Sequence, residues 1–188
     1  MPNPFWQYFL VLETDLDSTV RYVEPAEENY ATFSTEFSRI LLSASSELDV
    51  VCRVLSKRVQ ATAKPRNFTQ LRKIILSEYP ELPSLQVHVP RYGLAFAPLA
   101  AWLTQETPNW WRSYNDVKHK RYRHFADANL RNALNSMGGL FVIELYLHQE
   151  DLYNGALRPW PRLLDIESNT GAFCSVGGFP MLPDFPLR

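Results

Sequence analysis

The chain has little of what most enzyme signatures are built from. Its 188 residues include two cysteines and four histidines. Cys52 and Cys174 stand far apart and match no metal-ligand spacing, and Cys52 falls in an apolar helical pattern that fits a buried free thiol. His88, His119, His124 and His148 are not spaced as a metal cluster, so no metal and no cofactor is expected. No glycine-rich phosphate loop occurs, nor G-x-S-x-G, nor H-E-x-x-H. No apolar run is long enough to cross a membrane, and Met1-Pro2-Asn3-Pro4 lacks the basic start of a signal peptide. The expectation is a cytoplasmic chain without a membrane partner. A net charge of −1 argues against wholesale electrostatic binding to nucleic acid.

What the chain does have is apolar and aromatic content, 46% and 13%. That composition argues against disorder and suffices for a real core in one domain spanning 1–188, with a helical core over about 5–150 and an arm over 151–188. Phe5 to Tyr22 repeats apolar residues at helical spacing, with Glu13, Asp15 and Asp17 on the other side. Between Pro25 and Pro65 no Gly or Pro intervenes, and Phe33, Phe37, Ile40, Leu41, Ala44, Leu48, Val51 and Leu55 predict a long helix over 28–59. Glu47 and Asp49 sit amid this pattern, either on an exposed edge or as carboxylates that pair with a basic residue elsewhere. Asn67 can cap a helix over 68–79. Leu85 to Val89 alternates like a half-buried strand, Arg91-Tyr92-Gly93 reads as a turn, and Leu94 to Ala97 as a return strand; His88 is expected to face solvent. A second long helix is predicted over 127–149, where Gly138-Gly139 costs roughly 1 kcal/mol per glycine unless close packing offsets it. The nearly all-apolar stretch from Leu140 to Leu147 suggests burial on most sides, partly in a subunit interface. Beyond Ser168, glycine and proline make regular structure unlikely, yet Phe173, Phe179, Met181, Leu182, Phe185 and Leu187 suit an irregular arm that wraps its own domain or a partner.

The chemistry concentrates in Trp110-Trp111-Arg112-Ser113-Tyr114-Asn115-Asp116-Val117-Lys118-His119-Lys120-Arg121. Thr107 can cap a helix here, with Pro108 in its first turn. On that helix Arg112, Asn115 and His119 share one face: a permanent cation, an amide and an imidazole in a row. Such a set can hold a phosphate and move a proton near neutral pH. From Arg112 to Arg131 there are four arginines and two lysines against Asp116 and Asp127, a balance of +4 that leaves −5 for the rest of the chain. The basic surface is thus expected on this helix. Trp110 and Trp111 could stack on bases, but beside Tyr114 at helical spacing they read as core.

Arg112, a polar Ser113 and His119 after six intervening residues fit the R-x(4-6)-H pattern of HEPN domains, and the string WWRSYNDVKHKR resembles a HEPN-like bacterial group with a W-x-x-YN-x-VKH-x-R core. Ser113 stands where that family more often has Asn, Asp or His. The resemblance covers about residues 5–60 and 105–150. It implies a mainly α, HEPN-like helical bundle, with the small hairpin and the arm added to it. It further implies a homodimer in which Arg and His of two copies converge and cut RNA without a metal. In those roles His119 acts as general base or acid, Arg112 stabilises phosphate charge, Asn115 orients the imidazole or contacts the phosphate, and Lys118, Lys120 and Arg121 draw in the RNA backbone. The settings implied are phage defence or a toxin–antitoxin pair. The alternative is a non-catalytic HEPN-like domain that binds a regulatory protein or a nucleotide, with Asn115, Lys118 and His119 in a structural network that reaches Glu47 or Asp49.

Overall fold

The computed structural model describes residues 3–166, and these are mainly helical. The helices are α1 (Pro4–Thr19), α2 (Thr35–Val59), α3 (Phe68–Glu78), α4 (Asn109–His124), α5 (Leu130–Leu147) and the short α6 (Gln149–Tyr153). Their starts follow from side-chain caps. Asn3, Ser34, Asn67 and Asn129 each accept the backbone N–H three residues on. α4 has no such cap, and Thr107 does not serve as one: Pro108 itself occupies the position before the first turn. None of these helices is long and apolar enough to cross a membrane.

α5 is the axis of the bundle. It packs against α1, α2 and α4, and every residue from Ser136 to Leu147 is buried. The stretch from Leu140 to Leu147 is thus covered by its own chain, and its apolarity calls for no partner subunit. Each fully buried Leu, Ile, Val or Phe there contributes roughly 1.5–3 kcal/mol. Gly138 and Gly139 explain how the neighbours come so close. A Cβ on Gly139 would lie 3.1 Å from Trp110 and 3.2 Å from Leu48, and one on Gly138 would lie 2.7 Å from Phe96. At the other end of the core, Phe9 of α1 stacks on Phe141 of α5 at 5.3 Å and 5°, with Trp6 and Trp160 packed around them.

The expected hairpin is present: β1 (Val87–Val89) pairs antiparallel with β2 (Leu94–Phe96), and Gly93 takes the left-handed conformation (φ 64°) that the turn between them needs. β3 (Asp165–Ile166) adds to the free edge of β1, giving the order β2-β1-β3. The segment from 157 to 166 therefore wraps its own domain, while the rest of the expected arm, with Cys174, lies outside the described residues. His88 is half-buried rather than on an exposed face.

The predicted long helix begins late. Residues 28–34 are not its first turns: Glu27–Asn29 forms one 3-10 turn, and Phe33 makes an isolated antiparallel bridge to Asn129. The Ser34 cap ends the extended segment and starts α2 at Thr35. Phe33 is half exposed and leaves the apolar stripe to which its spacing assigned it.

Candidate functional site

α4 presents two faces for a simple reason of spacing. Trp110, Trp111, Tyr114 and Val117 recur at three- and four-residue intervals and are buried. Trp110 donates through Nε1 to the Pro98 carbonyl at 2.7 Å, and Trp111 lies flat on Phe68 at 3.7 Å and 10°. These rings belong to the core. Their burial turns the opposite side of α4, with Arg112, Asp116 and His119, to solvent.

Arg112 and His119 are both exposed, and among the described residues neither side chain makes a hydrogen bond or an ion pair. Asp116, four residues after Arg112, does not pair with it. Asn115 is differently placed from expectation. It is half-buried, and its Nδ2 donates at 2.8 Å to the carbonyl of Trp111 on its own helix, so the amide is directed along α4. Lys118 extends over the Tyr114 ring, with Nζ 3.2 Å from the phenol oxygen.

The helix changes direction at Lys120, whose backbone (φ −141°, ψ 42°) is not helical. The kink falls directly after His119. Lys118, His119, Arg121 and Tyr122 line an open groove of about 850 Å³, closed on its other side by Thr35 and Leu42 of α2 and by Phe125. Arg112 stands two turns up the helix, outside the lining of that groove. Lys118, His119 and Arg121 are thus brought together, while Arg112 and Asn115 stay apart from them.

Several residues of this surface were not singled out from the sequence. Tyr122 is 79% exposed, with the Arg123 guanidinium 5.3 Å over its ring. Phe125 meets Phe33 edge-on at 5.5 Å. Arg131 covers the ring of Tyr30 at 5.1 Å. The alternation Arg121-Tyr122-Arg123-His124-Phe125 was a visible signal for this group. Among these side chains His124 is occupied by Asp127 at 2.9 Å.

Glu47 and Asp49 have other company. Asp49 forms a two-pronged pair with Arg53 on α2, at 2.7 and 3.2 Å. Burial, and then the nearby Glu144, push the Glu47 carboxyl above its ordinary range. No hydrogen bond or ion pair joins either residue to α4 among the described residues. Glu144 itself is wholly buried in α5, and burial pushes its carboxyl up against the opposing pull of His148 at 3.1 Å. Glu13, expected on the solvent side of α1, is buried instead. It accepts the backbone N–H groups of Leu163 and Leu164 at 2.5 and 3.1 Å. Cys52 is fully buried and burial raises its thiol far above the ordinary range, so it is no nucleophile.

Comparison with known proteins gives no match to the chain from any family model, any curated protein or any solved structure.

Proposed function

We propose that this chain is a HEPN-like endoribonuclease that cuts single-stranded RNA without a metal, acting as a homodimer in phage defence or a toxin–antitoxin pair. The observation that carries the reading is the free state of the motif. Arg112 and His119, a cation and an imidazole, stand on the solvent face of α4 with no side-chain partner among the described residues, and His119 lines a groove edged by Lys118 and Arg121. A structural pair buried within the fold would be engaged by partners there.

In this reading a ribose 2′-oxygen bonds to the adjacent phosphorus as the P–O5′ bond breaks. The imidazole of His119 takes the 2′-hydroxyl proton or supplies one to the departing 5′-oxygen, a second copy serving the other role. Arg112 balances charge on the phosphate. Lys118, Lys120 and Arg121 hold the backbone of the strand. Asn115, tied to Trp111, serves by rigidifying the turn between Arg112 and His119.

The test is cleavage of single-stranded RNA in the presence of a chelator, with 2′,3′-cyclic phosphate or 3′-phosphate ends and with DNA left uncut. His119→Ala and Arg112→Ala should each lower the rate by about 10²-fold or more while helical content is unchanged. Lys120→Ala should weaken binding in a salt-dependent way. Light scattering at tens of micromolar should give the mass of a dimer. One observation favours the non-catalytic alternative, a domain that binds a regulatory protein or a nucleotide. Arg112 and Asn115 do not line the groove, as a single-chain active site would require. Full cleavage by both alanine variants, or none by the wild type, transfers the case to that alternative.

A further inference from the structure

A single exposed ring needs no explanation, but several exposed rings side by side mark an interaction surface. Around the kink of α4 four rings lie among cations. Tyr122 is 79% exposed beneath Arg123, and Phe33 is half exposed against Phe125. Tyr30 is half-buried beneath Arg131. The two chain segments that carry them are fastened together. Leu130 N–H donates to Thr32 at 2.9 Å, Arg131 N–H to Tyr30 at 3.2 Å and Ser34 N–H to Ala128 at 3.4 Å, around the Phe33–Asn129 bridge. Tyr30 and Phe33 are therefore tied to the segment that follows the kink. Lys118, Lys120, Arg121, Arg123 and Arg131 accompany them, against Asp127, which His124 already engages. Of the other acidic groups, Glu27 lies beside Tyr30 and Asp116 is exposed on α4.

Basic side chains interleaved with exposed rings form a surface that suits a single strand: the cations follow the phosphates, and the rings accept unpaired bases of any sequence. A paired duplex hides those faces. Tyr122 is the most open of the rings and lines the same groove as His119. Building on the ribonuclease reading, we propose that Tyr122 is the stacking platform for an unpaired base next to the phosphate presented to His119, and that this makes the substrate single-stranded RNA with little base preference. Arg123, already over the ring, closes the stack from one side, and the Phe33–Phe125 pair continues the path along the strand. Tyr122 here is a positioning residue and takes no part in proton transfer.

The test uses the full chain and a fluorescein-labelled single-stranded 2′-O-methyl oligoribonucleotide, which lacks the nucleophile and stays whole during titration. Fluorescence anisotropy should show Tyr122→Ala weakening binding about 5- to 150-fold, the range for one stacked base. Tyr122→Phe should bind like the wild type, and the slope of affinity against salt should not change, because no cation is removed. An oligomer of abasic sites should bind the wild type and Tyr122→Ala equally. A duplex of the same sequence should show no effect of the substitution. If the wild type binds and cuts RNA while Tyr122→Ala binds the single strand as tightly, the platform is wrong and the ribonuclease stands. If the wild type binds no single strand, both fall. If Tyr122→Ala instead turns a dimer into a monomer, the ring belongs to a contact between copies and the platform is again wrong. The ring is so exposed that its removal leaves the core untouched, which circular dichroism verifies for each variant.

Discussion

Replacing Glu13 by alanine tests how the C-terminal part of the described chain is held. Glu13 is buried, and its Oε1 accepts two backbone N–H groups, Leu163 at 2.5 Å and Leu164 at 3.1 Å. Alanine leaves both donors without an acceptor in a site closed to water. An unsatisfied buried group costs about 1–3 kcal/mol, so Glu13→Ala should lose about 2–6 kcal/mol. Against a total stability of about 5–15 kcal/mol that is a large share. Glutamine behaves differently. Burial raises the Glu13 carboxyl above its ordinary value of 4.5 despite the N–H groups that pull it down, so a negative charge here is costly in the fold. An amide keeps the acceptor oxygen and the shape, and Glu13→Gln should stay within about 1 kcal/mol of the wild type. Urea denaturation at pH 7 gives the two stabilities, and amide hydrogen exchange reports on Leu163 and Leu164 directly. Equal losses for Ala and Gln would refute the acceptor role. So would fast exchange of both amides in the wild type.

Other outcomes follow from the same packing. Glu144 has its folded-state carboxyl raised by burial, so its contribution is full below pH 4.5 and lost as pH rises through the higher folded value; Glu144→Gln should flatten that decline in thermal melts from pH 4.5 upward. Gly138→Ala forces the Phe96 ring aside and should cost about 1–3 kcal/mol by chemical denaturation, whereas Gly139→Ala meets milder contacts, with a helix-propensity gain of about 1 kcal/mol against them, and should cost less. Arg72 is buried and donates to the carbonyls of Gln105 and Glu106 just ahead of α4; Arg72→Met should lower stability by about 2–4 kcal/mol and raise protease cutting near residue 105.

The long helices were legible because their apolar residues repeat with the helical period, and the start of α3 because Asn67 caps it. The hairpin was legible through alternation and Gly93. The role of Trp110 and Trp111 as core could be read from their spacing beside Tyr114. The start of α2 was misread because Phe33 stands four residues before Phe37 and so continues the same stripe. Ser34 was the contrary signal, since its hydroxyl caps Phe37 and cuts the pattern. Glu13 could not be read at all: its partners lie 150 and 151 residues away, and local sequence shows only an acidic residue on an acidic side of α1. At the motif, period alone put Arg112, Asn115 and His119 on one face, and Arg112 and His119 are indeed outward. It could not show that Asn115 spends its amide on Trp111, or that the helix turns aside at Lys120. The aromatic residues after the kink were visible as letters but gained meaning only when Phe33 and Tyr30 joined them from another segment.

The bond from Glu13 to Leu164 also sets a schedule for synthesis. Residue 164 leaves the ribosome 151 residues after residue 13, which is about 8–30 s at ordinary elongation rates. Until they are made, α1 lacks Phe141 and Trp160, two of the rings that cover Trp6 and Phe9. The first helix made is therefore among the last to settle. During translation it is an adhesive amphipathic segment in search of cover, and a nascent chain halted before residue 141 should recruit chaperones in proportion to how long it waits.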